Sequence, residues 1–357
     1  MEKIRLGVVF GGASSEYEVS LLSSASVLSH INEENYDIHK IGITRDGRMF
    51  YYSGSVEKIS DGTWTEADCV PCVISPDRSH HGLLLLEENV RVIPLDCVFP
   101  VLHGKNGEDG TIQGLFTMAG IPFVGCGTLA SSACMDKAVT HTLLESAGIN
   151  SAKWLWTTEH EFSQNEARIL DRIDTELGYP CFVKPANAGS SVGITKVKER
   201  SQLKAAFELA FQNDSKVLVE EMVRGLELEC AVLGNEDPIA SCVGEIAPDA
   251  EFYDYNAKYI DGTTKTYAPA RISDDYAEEI RRTAVKAYQT MGCTGLARVD
   301  FFLSLHNQKI IVNEINTIPG FTSISMYPQL FGVSGIPYPE LIDRLVACAM
   351  NQTAQTV

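Results

Sequence analysis

Near the end of the chain, acidic residues are embedded in two strongly apolar segments that have the period of β-strands. Leu296-Ala297-Arg298-Val299-Asp300 and Ile311-Val312-Asn313-Glu314-Ile315-Asn316 alternate apolar and polar residues, with the polar Ser304-Leu305-His306-Asn307-Gln308 between them. That spacing predicts a hairpin. Residues two apart on a strand share a face, so Arg298 and Asp300 project together, as do Glu314 and Asn316. Two carboxylates and an amide oxygen then converge on a hard oxygen site, suited to Mg²⁺ with part of its shell left for phosphate oxygens. The other reading is an edge hairpin with solvated charges. Phe301-Phe302-Leu303 and Ile310-Ile311-Val312 beside the acids weigh against it, because an unpaired charge among apolar groups is costly.

A chain of 357 residues, 45% hydrophobic, can bury the cores of two or three domains. No apolar run approaches the ~20 residues of a membrane helix. The opening Met1-Glu2-Lys3-Ile4-Arg5 leads into a strand without a signal-peptide pattern, so a cytoplasmic location is expected. A net charge of −18 repels nucleic acid and anionic membranes, and neither is expected as a partner. The ten cysteines are scattered, apart from Cys69-Val70-Pro71-Cys72. One such pair completes no zinc site. Cys97 and Cys181 read as small buried hydrophobes.

Ile4-Arg5-Leu6-Gly7-Val8-Val9-Phe10, a turn at Gly11-Gly12-Ala13-Ser14-Ser15-Glu16 and a helical pattern from Val19 form the first unit of an open α/β sheet, with ligands expected at the strand's carboxyl end. As a dinucleotide fingerprint the turn lacks its third glycine. A second unit runs from Asp96-Cys97-Val98-Phe99-Pro100 through His103-Gly104-Lys105-Asn106-Gly107-Glu108 to a helix at Ile112. Ile121-Pro122-Phe123-Val124-Gly125 predicts a third strand that closes the domain. Further on, Cys181-Phe182-Val183-Lys184-Pro185 and Ile194-Thr195-Lys196-Val197 flank a loop of small residues. That loop reads equally as a phosphate-covering flap or an ordinary hairpin turn. A weakly patterned stretch over 246–267 is long for a compact connection and reads as a lid. Helices are expected over 139–147, 203–211 and 274–291.

Taken together, these motifs resemble the D-alanine–D-alanine ligases of the ATP-grasp superfamily and their vancomycin-resistance relatives. The resemblance covers nearly the whole chain. Gly-Gly-x-Ser-x-Glu at 11–16, Leu-His-Gly at 102–104, Met-Asp-Lys at 135–137, Val-Lys-Pro at 183–185, Gly-Ser-Ser-Val-Gly at 189–193, Ala-Arg-Val-Asp at 297–300 and Asn-Glu-Ile-Asn-Thr-x-Pro-Gly-Phe-Thr at 313–322 occur in family order. The implied fold is a three-domain ATP-grasp fold, mixing α/β and α+β. Its parts are an N-terminal open α/β domain over 1–126, a central subdomain with the flap over 127–219, and a C-terminal subdomain with the metal site and lid over 220–357.

The resemblance also implies residue roles. Asp300, Glu314 and Asn316 match ligands of Mg²⁺ or Mn²⁺, two ions per site. Lys137 and Lys184 match the lysines that hold the ATP phosphates, and Ser190 and Ser191 lie in the flap. Glu220, Glu221 and Val223 match the adenine strand, and Glu227 the ribose acceptor. Glu16 matches the carboxylate that holds the ammonium of the first D-alanine, with His103 near that substrate's carboxylate. Arg298 and the backbone of Gly320 match the groups that stabilise the tetrahedral oxyanion. Lys258 and Ser325 match contacts to the second substrate's carboxylate. Tyr259 matches a tyrosine bonded to Ser190 and Glu16. ATP, small-molecule substrates and a homodimer are the implied partners.

Relatives that use D-lactate carry histidine in place of Tyr259, so an amino-acid acceptor is expected. The stretches 42–45 and 102–110 are similar to those of D-serine ligases, but these place arginine after the serine that Ser325 matches, where this chain has Met326. A thioether offers a serine hydroxyl no strong partner, and an unmet hydroxyl costs about 1–3 kcal/mol. D-alanine is therefore the expected second substrate and D-serine the alternative. Another ATP-grasp carboxylate–amine ligase would share Lys184, Asp300 and Glu314 but not Glu16 with Tyr259 and Ser190. A non-catalytic nucleotide binder would have lost Arg298 or a metal ligand.

Overall fold

The computed structural model describes residues 2–189, 192–247 and 265–353. It contains three sheets. In the first, the parallel core consists of Ile4–Gly11 between Tyr36–Ile43 and Cys97–Pro100; antiparallel strands Met49–Tyr52, Cys69–Ile74, Gly82–Leu85 and Arg91–Pro94 extend it beyond Tyr36–Ile43. The central strand is buried because the helix Tyr17–His30 packs on it, and Ser20 Oγ accepts the amide of Gly11 at 2.8 Å. The expected third strand at 121–125 is only an isolated parallel bridge of Val98 to Phe123. Pro122 has no N–H to give a ladder; its carbonyl accepts Val98 N–H at 2.8 Å.

The second sheet has the order Thr195–Val197, Cys181–Pro185, Lys216–Glu221, Trp154–Thr158. As the sequence predicts, the strands that flank the glycine-serine loop pair antiparallel, Thr195 opposite Val183. The helix Lys137–Ser146 begins two residues earlier than its apolar pattern suggests because Asp136 caps it. The Asp136 carboxylate accepts Ala138 N–H at 3.0 Å and Val139 N–H at 3.1 Å, and also takes Lys216 Nζ at 2.9 Å.

The third sheet runs Lys265–Tyr267, Ile239–Ala247, Gly225–Leu233, Leu296–Ser304, Ile310–Asn316. The hairpin predicted from the sequence is its last pair, with Arg298 opposite Asn316 and Asp300 opposite Glu314, and a bulge after Asp300. The helix Asp274–Thr290 covers one face with Ile280, Ala284, Ala287 and Tyr288, and the helix Met326–Val333 the other. One apolar core joins the two ends of the chain: Leu6, Val8 and Phe10 belong to the same cluster as Phe321, Tyr327, Leu341 and Leu345. Cys97 and Cys181 are fully buried and all ten cysteines are free thiols. Among the described residues no helix is long and apolar enough to cross a membrane.

Replacing Asp136 by alanine removes the helix cap and Lys216's partner, and is expected to lower stability by about 1–2 kcal/mol. Asparagine, which keeps the capping oxygen, should recover about half of that. Urea unfolding midpoints of the three proteins check this.

Candidate active site

A single cleft is lined by residues of all three sheets and their connections, among them Glu16, His103, Lys137, Lys184, Glu220 and Arg298. At its centre Arg298 donates to both oxygens of Asp300 at 2.7 Å and lies 3.1 Å from Glu229, a neighbour supplied by the adjacent strand, where Glu229 is opposite Asp300. Burial works against the guanidinium charge, but Asp300, Glu229 and Glu314 outweigh it and keep it charged. Asp300, Glu229 and Glu314 surround the one guanidinium, and Lys137 faces Glu314, so carboxylates still outnumber the cations beside them. That excess fits a divalent cation. Asn316 turns Nδ2 to Asp300 at 2.9 Å, so its Oδ1 is the atom that could meet a cation. Among the described residues no three His, Cys, Asp or Glu side chains form a ready-made ion cage. A set of two carboxylates and one amide, completed by phosphate oxygens, needs none.

On the side of the central sheet, Lys137 is the first residue of the helix that Asp136 caps, and its Nζ donates to Ala188 O at 2.7 Å. Burial pulls its ammonium below the ordinary lysine value. Lys184 is paired with Glu220, whose other oxygen accepts His141 Nε2 at 2.7 Å. Burial opposes the Glu220 charge, yet Lys184 and His141 hold its carboxyl far below the usual carboxylate range. Glu221 exchanges hydrogen bonds with the Lys153 backbone, and Glu221, Val223 and Glu227 line the same end of the cleft. The motifs missed His141 and Lys216. Four residues after Lys137 on one helix, His141 had a signal, because that spacing shares a helix face.

On the other side Glu16 lies between two glycines. A Cβ on Gly104 (φ +70°) would stand 2.3 Å from Glu16 Oε2, and one on Gly189 2.7 Å from it. Gly104 and Gly189 both therefore pack directly against the Glu16 carboxylate. Ser190, Ser191, Lys258 and Tyr259 lie outside the described residues, as does most of the lid expected over 246–267, whose two ends are strand residues of Ile239–Ala247 and Lys265–Tyr267.

Two expectations change. His103 has both ring nitrogens engaged by the protein: Nδ1 meets Ile318 O at 3.0 Å and Nε2 meets Ser23 Oγ at 3.1 Å. Burial lowers its pKa, in keeping with one neutral tautomer. It lines the cleft, but its hydrogen bonds fix the 318–321 loop rather than point to a substrate carboxylate. Met326 is no pocket residue. It is 5% exposed and packs in the core against Gly244, whose added Cβ would stand 2.1 Å from Met326 Cε. Ser325 Oγ accepts Thr322 N–H at 3.0 Å and lies beside Gly320.

Glu108 completes the hold on the loop by accepting Gly104 N–H at 2.7 Å and Ile318 N–H at 3.2 Å. Ser23 Oγ also takes Phe321 N–H at 3.3 Å. The Ile318 peptide is thus gripped at both its N–H and its C=O by residues of the N-terminal sheet's loops.

An N-terminal α/β sheet, a flap-bearing central sheet and a C-terminal sheet with acids at its core define a ligase fold of the ATP-grasp type. Family models for the D-ala D-ala ligase N-terminus and C-terminus match residues 5–126 and 143–347. The chain belongs to the D-Ala–D-Ala ligase family. It is 50% identical to a D-alanine–D-alanine ligase of Acetivibrio thermocellus over 98% of this chain and 97% of that one, and 46% identical to one of Caldicellulosiruptor bescii over 99% and 97%. Among solved structures, VanG D-Ala:D-Ser ligase from Enterococcus faecalis matches with a TM-score of 0.90 at 45% identity, covering 98% of this chain and 100% of that one. The D-alanine-D-alanine ligase from Coxiella burnetii matches at 0.86 and 34%, covering 100% and 96%.

Two predictions follow from this geometry. Gly104→Ala adds left-handed strain of about 1–2 kcal/mol and drives Glu16 aside, so turnover is expected to fall at least tenfold in steady-state assays. Burial first and Glu16 second push the Glu108 carboxyl up to about 8, from an ordinary 4.5. The folded protein therefore holds a proton there that the unfolded chain releases, and stability falls as pH rises from about 4.5 to about 8. Glu108→Gln should flatten that fall in urea midpoints measured across the interval.

Proposed function

We propose that the protein joins two D-alanines into D-alanyl-D-alanine at the expense of ATP, through an acyl phosphate, as a step of cell-wall precursor synthesis. The observation that carries the reading is the single cleft that brings Glu16, two lysines and the Arg298–Asp300–Glu314–Asn316 group together, in a chain alike over its whole length to D-alanine–D-alanine ligases.

The first amino acid binds with its ammonium at Glu16 and its carboxylate toward Arg298. A carboxylate is a poor acyl donor, so its oxygen first attacks the γ-phosphorus of ATP and ADP leaves. Lys137 and Lys184 offset the phosphoryl charge. Asp300, Glu314 and Asn316 would hold divalent ions, Mg²⁺ or Mn²⁺ and two per site, which would supply electrostatic stabilisation of the phosphate oxygens. The amine of the second D-alanine then attacks the acyl carbon. Arg298 and the Gly320 N–H hold the oxyanion, and phosphate departs. Ser325 and Lys258 take the second carboxylate; Ser190 and Tyr259 close over Glu16; Ser191 covers the phosphates. Acyl phosphates hydrolyse, which gives the closing segment its purpose. Glu221 and Val223 read the adenine edge through their backbone and Glu227 takes the ribose. A division into units at 1–126, 127–219 and 220–357 and a homodimer in the cytoplasm complete the reading.

D-serine as acceptor is the second reading, favoured by the likeness to VanG. With Met326 buried, that residue does not separate the two; the full-length likeness to D-alanine–D-alanine ligases favours D-alanine. The test is a product assay by mass spectrometry with ATP, Mg²⁺ and equimolar D-alanine, D-serine and D-lactate. D-alanyl-D-alanine should dominate, and Glu314→Ala should abolish it. A dominant mixed dipeptide would transfer the assignment to the second reading.

A further inference from the structure

His141 stands at the back of the nucleotide end of the cleft. It is 1% exposed, stacked on Trp154 with ring centroids 5.4 Å apart, and its Nε2 lies 2.7 Å from Glu220 Oε1. Its Nδ1 has no hydrogen-bond partner among the described residues. The other oxygen of Glu220 holds Lys184, and Glu220 is itself 4% exposed. The helix that carries His141 begins with Lys137, so one element presents a lysine to the flap backbone and an imidazole to the carboxylate that holds the second lysine.

That arrangement raises a charge problem. When Lys184 turns from Glu220 to a phosphate, a buried carboxylate loses its cation, and a buried charge with no partner is strongly unfavourable. The His141 N–H remains on Glu220 throughout. Resting on the ATP-dependent reading above, we propose that His141 is a positioning residue of the nucleotide site: it keeps Glu220 fixed and hydrogen-bonded so that Lys184 is free to transfer to the phosphates. Trp154 holds the imidazole plane and has its own indole N–H on Glu145 at 2.7 Å. His141 touches neither substrate and acts through Glu220.

The experiment compares wild type, His141→Leu, His141→Gln, Glu220→Gln and the His141→Leu/Glu220→Gln double variant, by calorimetric ADP binding and by KM for ATP and for D-alanine. His141→Leu is expected to weaken ADP binding and raise the KM for ATP about tenfold, as loss of a hydrogen bond to a charged group does. Its KM for D-alanine should stay within about twofold, since His141 and Glu220 engage each other, Lys184 and Trp154 and not Glu16. His141→Gln, whose amide nitrogen reaches the carboxylate, should recover most of the loss. The double variant should be no worse than Glu220→Gln alone, because residues acting through one another are non-additive. If His141→Leu does not fold, His141→Asn replaces it with the same expectations, its amide being too short for Glu220. Unchanged nucleotide parameters, an equal rise in the KM for D-alanine, or additive effects overturn the proposal. A wild type that binds ADP and forms no dipeptide overturns the ligase reading alone.

Discussion

Everything in the cleft is arranged around a guanidinium sunk among acids. Arg298 is held by Asp300 on its own strand and by Glu229 on the next, and the antiparallel register places Glu314 and Asn316 opposite. Such a cluster is tolerated in an apolar sheet because each acid has a cation near it, Arg298 for Asp300 and Glu229 and Lys137 for Glu314, and carboxylates still outnumber those cations. The excess makes the site attractive to a divalent ion and its phosphates. The same cluster fixes Arg298 in place, so its charge needs no reorganisation to meet an anion in the cleft.

The second constraint is the grip on residues 318–321. Their backbone belongs to the C-terminal sheet's connection, yet its hydrogen bonds go to His103, Glu108 and Ser23. The ring of Phe321 packs edge-on to Phe99 and Tyr338. The loop that carries Gly320 is therefore positioned by the turn over 103–108, which itself packs against Glu16 at Gly104, and by Ser23 of the helix that follows Glu16. Glu16 and Gly320 are thus registered against one frame rather than two.

Much of this was legible in the sequence because it depends on short-range pattern. The shared faces of Arg298 with Asp300 and of Glu314 with Asn316 follow from period two, and the pairing of the strands around 189–193 from the glycine and serine between them. What escaped was set at long range. His103 looked like a substrate ligand because its loop position is right, but its partners lie some 80 and 215 residues away. Met326 follows the serine of its motif, yet the first turn of its helix rotates it under Gly244. Residues 121–125 have a strand's composition, but a proline and a single edge leave room for one bridge only. The His141–Glu220–Lys184 row joins a helix to two strands that no local pattern connects.

The sequence separations also bear on how the protein comes into being. Ser23 meets Phe321 across 298 residues, and Tyr36 bonds Asp343 across 307. The first strands share their core with the last two helices. Domains at the start of a chain fold first during synthesis, but this one lacks part of its interior until translation is almost complete. A ribosome-bound chain that has emerged as far as Asn316 owns every acid, lysine and arginine of the cleft and still lacks the loop and helices that close it. The newborn protein thus lacks Gly320 of the cleft and Ser325 beside it, and the helices that complete the core of its first strands, until the last part of the chain has emerged.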